Sequence, residues 1–228
     1  MTGNEARLSN YPSISADSVP WLTNEQMVEA DRLAIDEFGI DLLQMMEHAG
    51  SNLAELVDVI APPGPITVLA GGGNNGGGGL CATRHLVNRG REVEVVLAST
   101  HLGSAPLHHL ETLGQMGIEP VDRPSGYPVV VDAIVGYGLS GQLRGPAADL
   151  AADAANAFTV SLDMPSGHGT LGAVIADATL TLALPKVGLR GVQPLYVADL
   201  GLPAALWRRM ELDVPPIFAA GPVLAVGR

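Results

Sequence analysis

The stretch Pro65-Ile-Thr-Val-Leu-Ala-Gly-Gly-Gly-Asn-Asn-Gly-Gly-Gly-Gly-Leu80 places a short β-branched run directly before a glycine run that only two asparagines interrupt. A helical pattern over residues 80–90 follows it. Glycine lets backbone N–H groups approach a ligand because it has no Cβ, and it tolerates a positive φ. A strand, a glycine turn and the beginning of a helix together predict a cradle for an anion or a nucleotide. The alternative is a flexible glycine-rich hairpin or linker, which the strand before it and the amphipathic segment after it disfavour.

The composition limits the kinds of partner. The 228-residue chain is long enough for one large α/β domain, and no linker divides it. Its 12 basic and 24 acidic residues give a formal net charge of −12, which repels nucleic acids and anionic membranes but allows a small anionic ligand held by backbone dipoles. The single cysteine, Cys81, excludes an intrachain disulfide and a cysteine-cluster metal site. Because no secretory signal or membrane-spanning run is found, the sequence predicts a cytoplasmic protein.

The order of the predicted elements indicates a doubly wound sheet. Residues 1–20 lack periodicity and are predicted to be a loose N-terminal arm, residues 21–207 form the domain, and residues 208–228 are a C-terminal extension. Two amphipathic helices, one capped by Thr23 and one over residues 41–60, precede the first strand. Strands are predicted at residues 66–70, 92–97, 129–134, 158–162, 178–184 and 195–197, with helices over residues 79–89, 106–116 and 147–156. This alternation predicts a three-layer α-β-α, Rossmann-like α/β fold with a mostly parallel sheet.

Polar side chains stand at the ends of three predicted strands. Asn74 and Asn75 follow the first strand, Asp132 lies near the end of the third, and Asp163 with Ser166 follows the fourth. Doubly wound sheets bind ligands beyond the carboxyl ends of their strands, so we expect the three loops to converge on one crevice. An ionised carboxylate in an apolar strand needs hydrogen bonds or a cation, which makes both aspartates functional candidates. The alternative for each is capping of loop amides, a common role of aspartate at a strand end.

Six motifs occur in the order typical of one family. They are Met45-Met-Glu-His-Ala-Gly50, Gly73-Asn-Asn-Gly-Gly77 with Arg84-His-Leu86, Asp132-Ala-Ile-Val-Gly-Tyr-Gly138, Asp163-Met-Pro-Ser-Gly167, Ala176-Asp-Ala-Thr-Leu-Thr181 with Pro185-Lys186, and Val197-Ala-Asp-Leu-Gly-Leu-Pro203. On these motifs the chain resembles the YjeF N-terminal domain family, in its stand-alone NAD(P)H-hydrate epimerase form, over residues 21–207. No part of the sequence resembles the ADP-dependent dehydratase domain to which many members are fused.

The resemblance implies repair of hydrated nicotinamide cofactors. In these compounds water has added to the reduced ring beside its nitrogen, and the enzyme interconverts the two C6 epimers. One carboxyl group can act as acid and base for loss and return of the hydroxyl, without a redox cofactor. By motif position, Asp163 is implied either as the catalytic acid and base or as an anchor for the substrate. The pyrophosphate and ribose are implied to bind at Asn74, Asn75, Gly76, Gly77, Gly78, Gly136, Tyr137, Gly138, Leu139, Ser140, Gly141, Gln142 and Lys186.

The resemblance also implies a potassium ion and a homodimer. The implied cation ligands are Asn75, Asp132 and Ser166, whose oxygens suit an alkali cation that would neutralise the aspartate. Members of the family pair through their N-terminal helices, so a homodimer is expected. The expected ligand is a small dinucleotide or a related anion, and neither nucleic acid nor a membrane is an expected partner.

The sequence departs from the family pattern near the expected crevice. Gly78 stands where an aspartate is common, Ser140 where a basic residue is frequent, and His48 where the family has asparagine. Residues 168–172 replace an aspartate-rich turn. These changes leave two alternatives open. One is a divergent enzyme that works on another small molecule and lacks epimerase activity, and the other is a non-catalytic nucleotide-binding or scaffold module.

Three residues have more than one interpretation. Lys186 contacts either a phosphate or a strand-end carboxylate. His168 is either an added acid or base near the crevice or a simple loop histidine. Cys81 lies one turn into the helix after the glycines, where it is either a thiol with a lowered pKa or a small buried side chain.

Overall fold

An eight-stranded sheet organises the part of the chain that the structure, a computed structural model, describes, residues 10–227. The strands are β1 (Ser13–Ser15), β2 (Ile66–Ala70), β3 (Val93–Leu97), β4 (Val129–Ala133), β5 (Phe158–Leu162), β6 (Ala178–Leu182), β7 (Leu195–Ala198) and β8 (Val223–Gly227). They lie in the order β1-β8-β7-β6-β5-β4-β2-β3, and the β7–β8 pair is antiparallel while the other pairs are parallel. The order reverses direction between β2 and β4, which makes the gap between these strands a topological switch point.

Helices cover both faces of the sheet. They are α1 (Asn24–Asp36), α2 (Leu42–Ile60), α3 (Asn74–Asn88), α4 (Ser104–Gln115), α5 (Pro146–Asp153) and α6 (Ala204–Arg209). Alternate residues of each strand point to opposite faces, so one core cluster joins Leu56 and Leu80 to Val68, while another joins Leu150 to Leu69. The predicted three-layer, mostly parallel α/β fold is therefore confirmed.

The two N-terminal helices form as their sequence signals predict. Thr23 and Gln26 cap α1 reciprocally: Thr23 Oγ1 accepts from the N–H of Gln26, and Gln26 Oε1 accepts from the N–H of Thr23. Just before α1, Leu22 forms a parallel bridge with Lys186. No helix among the described residues is long and apolar enough to cross a membrane.

Helix α3 begins five residues earlier than the sequence predicts. The glycines at positions 76–79 belong to its first turns and are all buried. Glycine is a poor helix former in isolation, but here the helix lies so close to the sheet that a Cβ at Gly79 would stand 2.5 Å from the Ala133 Cβ. Close packing, which the periodicity rules do not consider, therefore overrides helix propensity in this segment.

Both ends of the described chain join the sheet. Strand β1 falls inside the segment predicted to be a loose arm, and it pairs with β8, which falls inside the predicted C-terminal extension. Ser13 is in register with Ala225, and β8 also pairs with β7. The expectation of a loose arm is therefore wrong for residues 13–15, because a three-residue strand with no periodic pattern is stabilised by a partner distant in sequence. Residues 1–9 of the predicted arm lie outside the described residues.

The close approach of α3 to the sheet predicts a cost for a single added methyl group. Gly79→Ala is expected to lower the free energy of unfolding by about 1–3 kcal/mol, because neither the Ala133 Cβ nor the helix backbone can move away without strain. Urea denaturation monitored by circular dichroism measures this change. Gly138→Ala is the matched control, since nothing lies within 4 Å of its added Cβ. Equal stability of the two variants would contradict the packing argument.

Candidate active site

The loops after β2, β4 and β5 meet at one cavity of about 460 Å³ beside the switch point. The expected convergence of the three loops is therefore found. Residues from these loops and from the segment after β6 that line the cavity are Gly73, Asn74, Asn75, Gly78, Ile134, Val135, Gly136, Tyr137, Gly138, Asp163 and Lys186. A volume of this size suits a small organic ligand.

Helices α1 and α2 supply an apolar wall that the sequence interpretation did not include. Met27, Leu42, Met45 and Met46 line the cavity from these helices. Methionine side chains are flexible and polarizable, so they adapt to the outline of a flat ligand. The signal was present in the sequence as apolar positions on the two amphipathic helices, but nothing in the pattern says which of them face a cavity rather than a filled core.

Asp163 forms a buried ion pair at the end of β5. Its Oδ1 is 2.6 Å from Lys186 Nζ, and both side chains are at least 96% buried. Lys186 also donates to the carbonyl of Leu182 at 2.6 Å, and the N–H of Tyr137 donates to Asp163 Oδ2 at 2.9 Å. Of the two interpretations of Lys186, the structure shows the contact with a strand-end carboxylate. Each of these buried charges stabilises the other, because a buried charge without a partner would strongly destabilise the folded protein.

Asp163 lines the cavity with a strained backbone conformation. Its φ is +65°, in the left-handed region that most residues avoid and that aspartate tolerates better than most. Such conformations persist where the surroundings fix them, and they concentrate at functional sites. Gly136 provides the necessary space, because a Cβ there would overlap Asp163 Oδ2 and stand 3.2 Å from Asn75 Oδ1.

A second carboxyl group lines the cavity from α1. Asp31 Oδ2 accepts a hydrogen bond of 2.6 Å from the hydroxyl of Tyr137. Burial raises the pKa of Asp31, while the hydrogen bond from Tyr137 and the charge of Lys186 oppose this rise. Sequence reasoning missed Asp31, although it lies four residues after Met27 and three before Ala34 on the apolar stripe of the helix. An acid in such a stripe was the available signal.

Asp132 lies beneath the cavity wall rather than on it. It is fully buried, and its oxygens accept hydrogen bonds from Ser161 Oγ at 2.7 Å, from Ser166 Oγ at 2.6 Å and from the N–H of Ser166 at 2.8 Å. A weaker contact of 3.3 Å comes from the N–H of Ile134. Burial raises the pKa of Asp132, and these hydrogen bonds oppose the rise. No Lys, Arg or His of the described residues forms an ion pair with it.

The structure divides the predicted binding residues into two groups. Asn74, Asn75, Gly78, Gly136, Tyr137, Gly138 and Lys186 line the cavity, whereas Gly76, Gly77, Leu139, Ser140, Gly141 and Gln142 are not among its lining residues. Gly76 and Gly77 are buried residues of the first turn of α3, and Ser140, Gly141 and Gln142 are exposed. Of the predicted cation ligands, Asp132 and Ser166 touch each other, and Asn75 lines the cavity with a buried Nδ2 that has no hydrogen-bond partner.

The structure shows the surroundings of two departures from the family pattern, Gly78 and His168, and of Cys81. A Cβ at Gly78 would stand 2.7 Å from Leu162 Cδ2, so leucine fills the space that a side chain at position 78 would take. His168 is exposed and its Nε2 is 2.9 Å from the carbonyl oxygen of Gly188, away from the cavity lining. Burial and Glu47 raise the pKa of Cys81 to about 12, so the buried side chain is not a reactive thiolate.

Fold and site together define a doubly wound α/β protein with a ligand-sized cavity at its topological switch point. Residues 42–188 match the family model described as YjeF-related protein N-terminus, and the chain belongs to this family. The predicted family membership is confirmed.

Similar proteins cover most of the chain. The NAD(P)H-hydrate epimerase of Dehalogenimonas lykanthroporepellens is 39% identical over 221 residues, which covers 89% of this chain and 90% of that protein. The NAD(P)H-hydrate epimerase of Rhodopirellula baltica is 35% identical and covers 85% of this chain and 89% of that protein. The crystal structure of yeast ynu0, YNL200c, shares the fold with a TM-score of 0.81 at 20% identity, over 91% of this chain and 100% of that chain.

The buried ion pair predicts a large effect of removing its cation. Lys186→Met is expected to lower the free energy of unfolding by about 3–5 kcal/mol, because it leaves the carboxylate of Asp163 buried without a counter-charge. Urea denaturation at neutral pH measures the change. The control is Arg32→Met, since Arg32 pairs with Glu29 on the surface and exposed pairs contribute little. If both variants lost equally little stability, the ion pair would not hold the site together.

Proposed function

We propose that this chain is an NAD(P)H-hydrate epimerase. The observation that carries the proposal is the Asp163 carboxylate, buried with Lys186 at the end of β5 and lining a cavity at the switch point of the sheet. The two similar proteins that match nearly their whole length both carry this name, which supports the same activity here. An epimerase is an isomerase, so the reaction needs acid and base but no net oxidant or reductant.

The chemistry of the substrate matches these groups. The C6 carbon of the hydrated ring carries a hydroxyl beside the ring nitrogen, so it is a carbinolamine. When an acid protonates the hydroxyl, the nitrogen lone pair expels it as water and a planar iminium remains. Water then adds to either face and returns a proton to the protein. A carboxylate at the cavity wall can stabilise the cationic intermediate and exchange this proton.

The substrate's anionic part would contact backbone amides. Helix α3 begins at Asn74, and its first N–H groups and its dipole favour a negative group such as a pyrophosphate. Asn74, Asn75 and Gly78 line the cavity on this side, and residues 136–138 line it on the other. The half-buried Leu139 and the exposed residues 140–142 do not line the cavity, so they would contact only those parts of a dinucleotide that extend beyond it.

The two alternative functions lack a comparable observation. A scaffold module predicts an empty or occluded crevice, whereas this cavity of about 460 Å³ is lined by a buried ion pair. A divergent enzyme would be favoured by an enlarged cavity at Gly78, but Leu162 fills that space. The proposed epimerase therefore accounts for the site with the fewest additional assumptions.

The site would hold a potassium ion beside the cavity. Asp132 is a fully buried carboxylate without an ion-pair partner among the described residues, so a monovalent cation would supply the missing charge. The oxygens of Asn75, Asp132 and Ser166 are hard donors that suit an alkali cation. The hydroxyl of Ser166 also lies 3.1 Å from the carbonyl oxygen of Val135. When a cation approaches Asp132, this hydroxyl can donate its proton to the carbonyl oxygen instead of to Asp132. When bound, the ion supplies positive charge near the substrate.

The chain would act as a cytoplasmic homodimer. Val28, Ile35 and Leu43 are exposed apolar residues of α1 and α2, with 58%, 41% and 38% of their surface accessible. A second copy that paired through these helices would cover them. The high acidic charge and the single buried cysteine are consistent with the cytoplasm.

The proposed activity is tested by epimer conversion. The purified protein is incubated with one separated C6 epimer of hydrated NADH or NADPH in potassium buffer, and chromatography follows the appearance of the other epimer. Asp163→Asn is expected to slow conversion by about 10²–10⁴-fold, because it removes the proton-transferring group but keeps an acceptor for the N–H of Tyr137. The exposed Asp153→Asn is the control and should convert the epimer normally. Absence of turnover by the unaltered protein would rule out the proposal.

Potassium binding is tested separately by stability. A cation that binds only the folded protein raises the unfolding temperature as its concentration increases. We expect KCl to stabilise the protein more than choline chloride at equal ionic strength, and Asn75→Ala and Asp132→Asn to remove this difference. Differential scanning calorimetry measures it. Identical curves in the two salts for the unaltered protein would contradict potassium binding, whether or not the protein is an epimerase.

A further inference from the structure

Epimerisation needs chemistry on both faces of one planar carbon. The hydroxyl leaves C6 on one face, and water must add on the other face if the configuration is to invert. A proton donor or acceptor on one face reaches the oxygen on the other face only if the ring turns over or a water molecule carries the proton around it, because the planar ring separates the two faces. A cavity that catalyses inversion efficiently is therefore expected to contain two proton-transferring groups on different walls.

The cavity contains two carboxyl groups on separate elements. Asp163 follows β5, Asp31 belongs to α1, and Tyr137 lies between them. The N–H of Tyr137 donates to Asp163 Oδ2 at 2.9 Å, while its hydroxyl donates to Asp31 Oδ2 at 2.6 Å. The two carboxyl groups thus bind opposite ends of Tyr137, its backbone N–H and its hydroxyl. All three residues line the cavity.

We propose that Asp31 is a second catalytic residue, which transfers the proton to and from the C6 hydroxyl on the ring face opposite Asp163. The inference rests on the proposed epimerase function and deepens it. Tyr137 is a positioning residue, since its hydroxyl holds the Asp31 carboxyl in place. If the Asp163 carboxyl group alone served both faces of the ring, the reaction would need neither the Asp31 carboxyl group nor the Tyr137 hydroxyl.

The two acids have different electrostatic surroundings. Asp163 Oδ1 lies 2.6 Å from the ammonium nitrogen of Lys186. Within residues 10–227 Asp31 forms no ion pair. Burial and the charge of Asp163 raise the pKa of Asp31, and the hydrogen bond from Tyr137 and the charge of Lys186 oppose this rise. Asp31 is therefore shifted toward its protonated form, which suits the acid that protonates a leaving hydroxyl.

The steps balance in protons and electrons. For the epimer whose hydroxyl faces Asp31, the carboxyl proton passes to the hydroxyl oxygen, the C6–O bond breaks, and the ring nitrogen lone pair forms the C6–N double bond. A water molecule then adds from the other face, its oxygen bonds to C6, and Asp163 takes its proton. The other epimer follows the same steps in reverse, with Asp163 protonated and Asp31 ionised at the outset.

Oxygen-isotope exchange separates the two faces. Each purified epimer is incubated in water enriched in ¹⁸O with the Asp31→Asn variant, and mass spectrometry after chromatography measures both label uptake and inversion. Inversion is expected to fall by about 10²–10⁴-fold. One epimer, whose hydroxyl faces Asp163, should still exchange its oxygen with retained configuration, and the other should not. Asp163→Asn should show the opposite preference between epimers.

The outcomes distinguish this inference from the function on which it rests. If the unaltered protein does not invert either epimer, the proposed function fails. If it does, but Asp31→Asn inverts normally or loses exchange equally in both epimers, Asp31 is not a face-specific catalyst. Asp36→Asn, a change at an exposed carboxylate of the same helix, is the control for loss of charge and should behave as the unaltered protein.

Tyr137→Phe gives a second test that keeps both carboxyl groups. It removes the hydrogen bond that favours ionised Asp31, so the pKa of Asp31 rises further. Inversion of the epimer that needs protonated Asp31 declines as the pH rises through this pKa, and the decline should therefore move to higher pH in the variant. The pH profile of kcat for that epimer measures the shift. An unmoved profile contradicts the role of Asp31, even if Asp31→Asn does not fold.

Discussion

The ion pair between Asp163 and Lys186 is the interaction on which the arrangement of the cavity depends. It joins the end of β5 to the segment after β6. Asp163 has a left-handed backbone conformation there, and its carboxylate accepts a hydrogen bond from the N–H of Tyr137. The same segment reaches the N-terminal part of the chain, since Leu22 bridges to Lys186 one residue before the cap of α1. One buried charge pair thus fixes the positions of three elements that border the cavity.

The glycines of α3 are a second constraint, and they act through packing more than through flexibility. A helix that begins directly above the ends of β2 and β4 brings its N–H groups to the cavity only if its residues lack side chains on the sheet side. The helix then offers a positive end without a lysine or arginine. A protein with a net charge of −12 can in this way attract an anion locally while its surface repels polyanions.

The sequence was sufficient for the layers, for the parallel strands and for the meeting of three loops, because these follow from hydrophobic periodicity and from the rule that strand ends share one edge. It was insufficient for Asp31, because a helical stripe indicates that a residue is buried but not whether it faces core or cavity. It was also insufficient for the beginning of α3, since local propensity disfavours a helix of glycines, and for β1, whose pairing partner is distant along the chain. Each of these features is decided by tertiary contacts.

The pairing of β1 with β8 has a consequence for biosynthesis. During synthesis Ser13 leaves the ribosome well before its register partner, Ala225, is made. Until then β7 is an exposed edge with unpaired backbone groups, which is the kind of surface that invites association with other nascent chains. Pairing of β1 with β8 restricts the conformations of the long chain between them, and this loss of entropy precedes the favourable contacts between the strands. Strands β1 and β8 are therefore expected to be the last part of the sheet to fold, after the cavity at the switch point between β2 and β4 has formed.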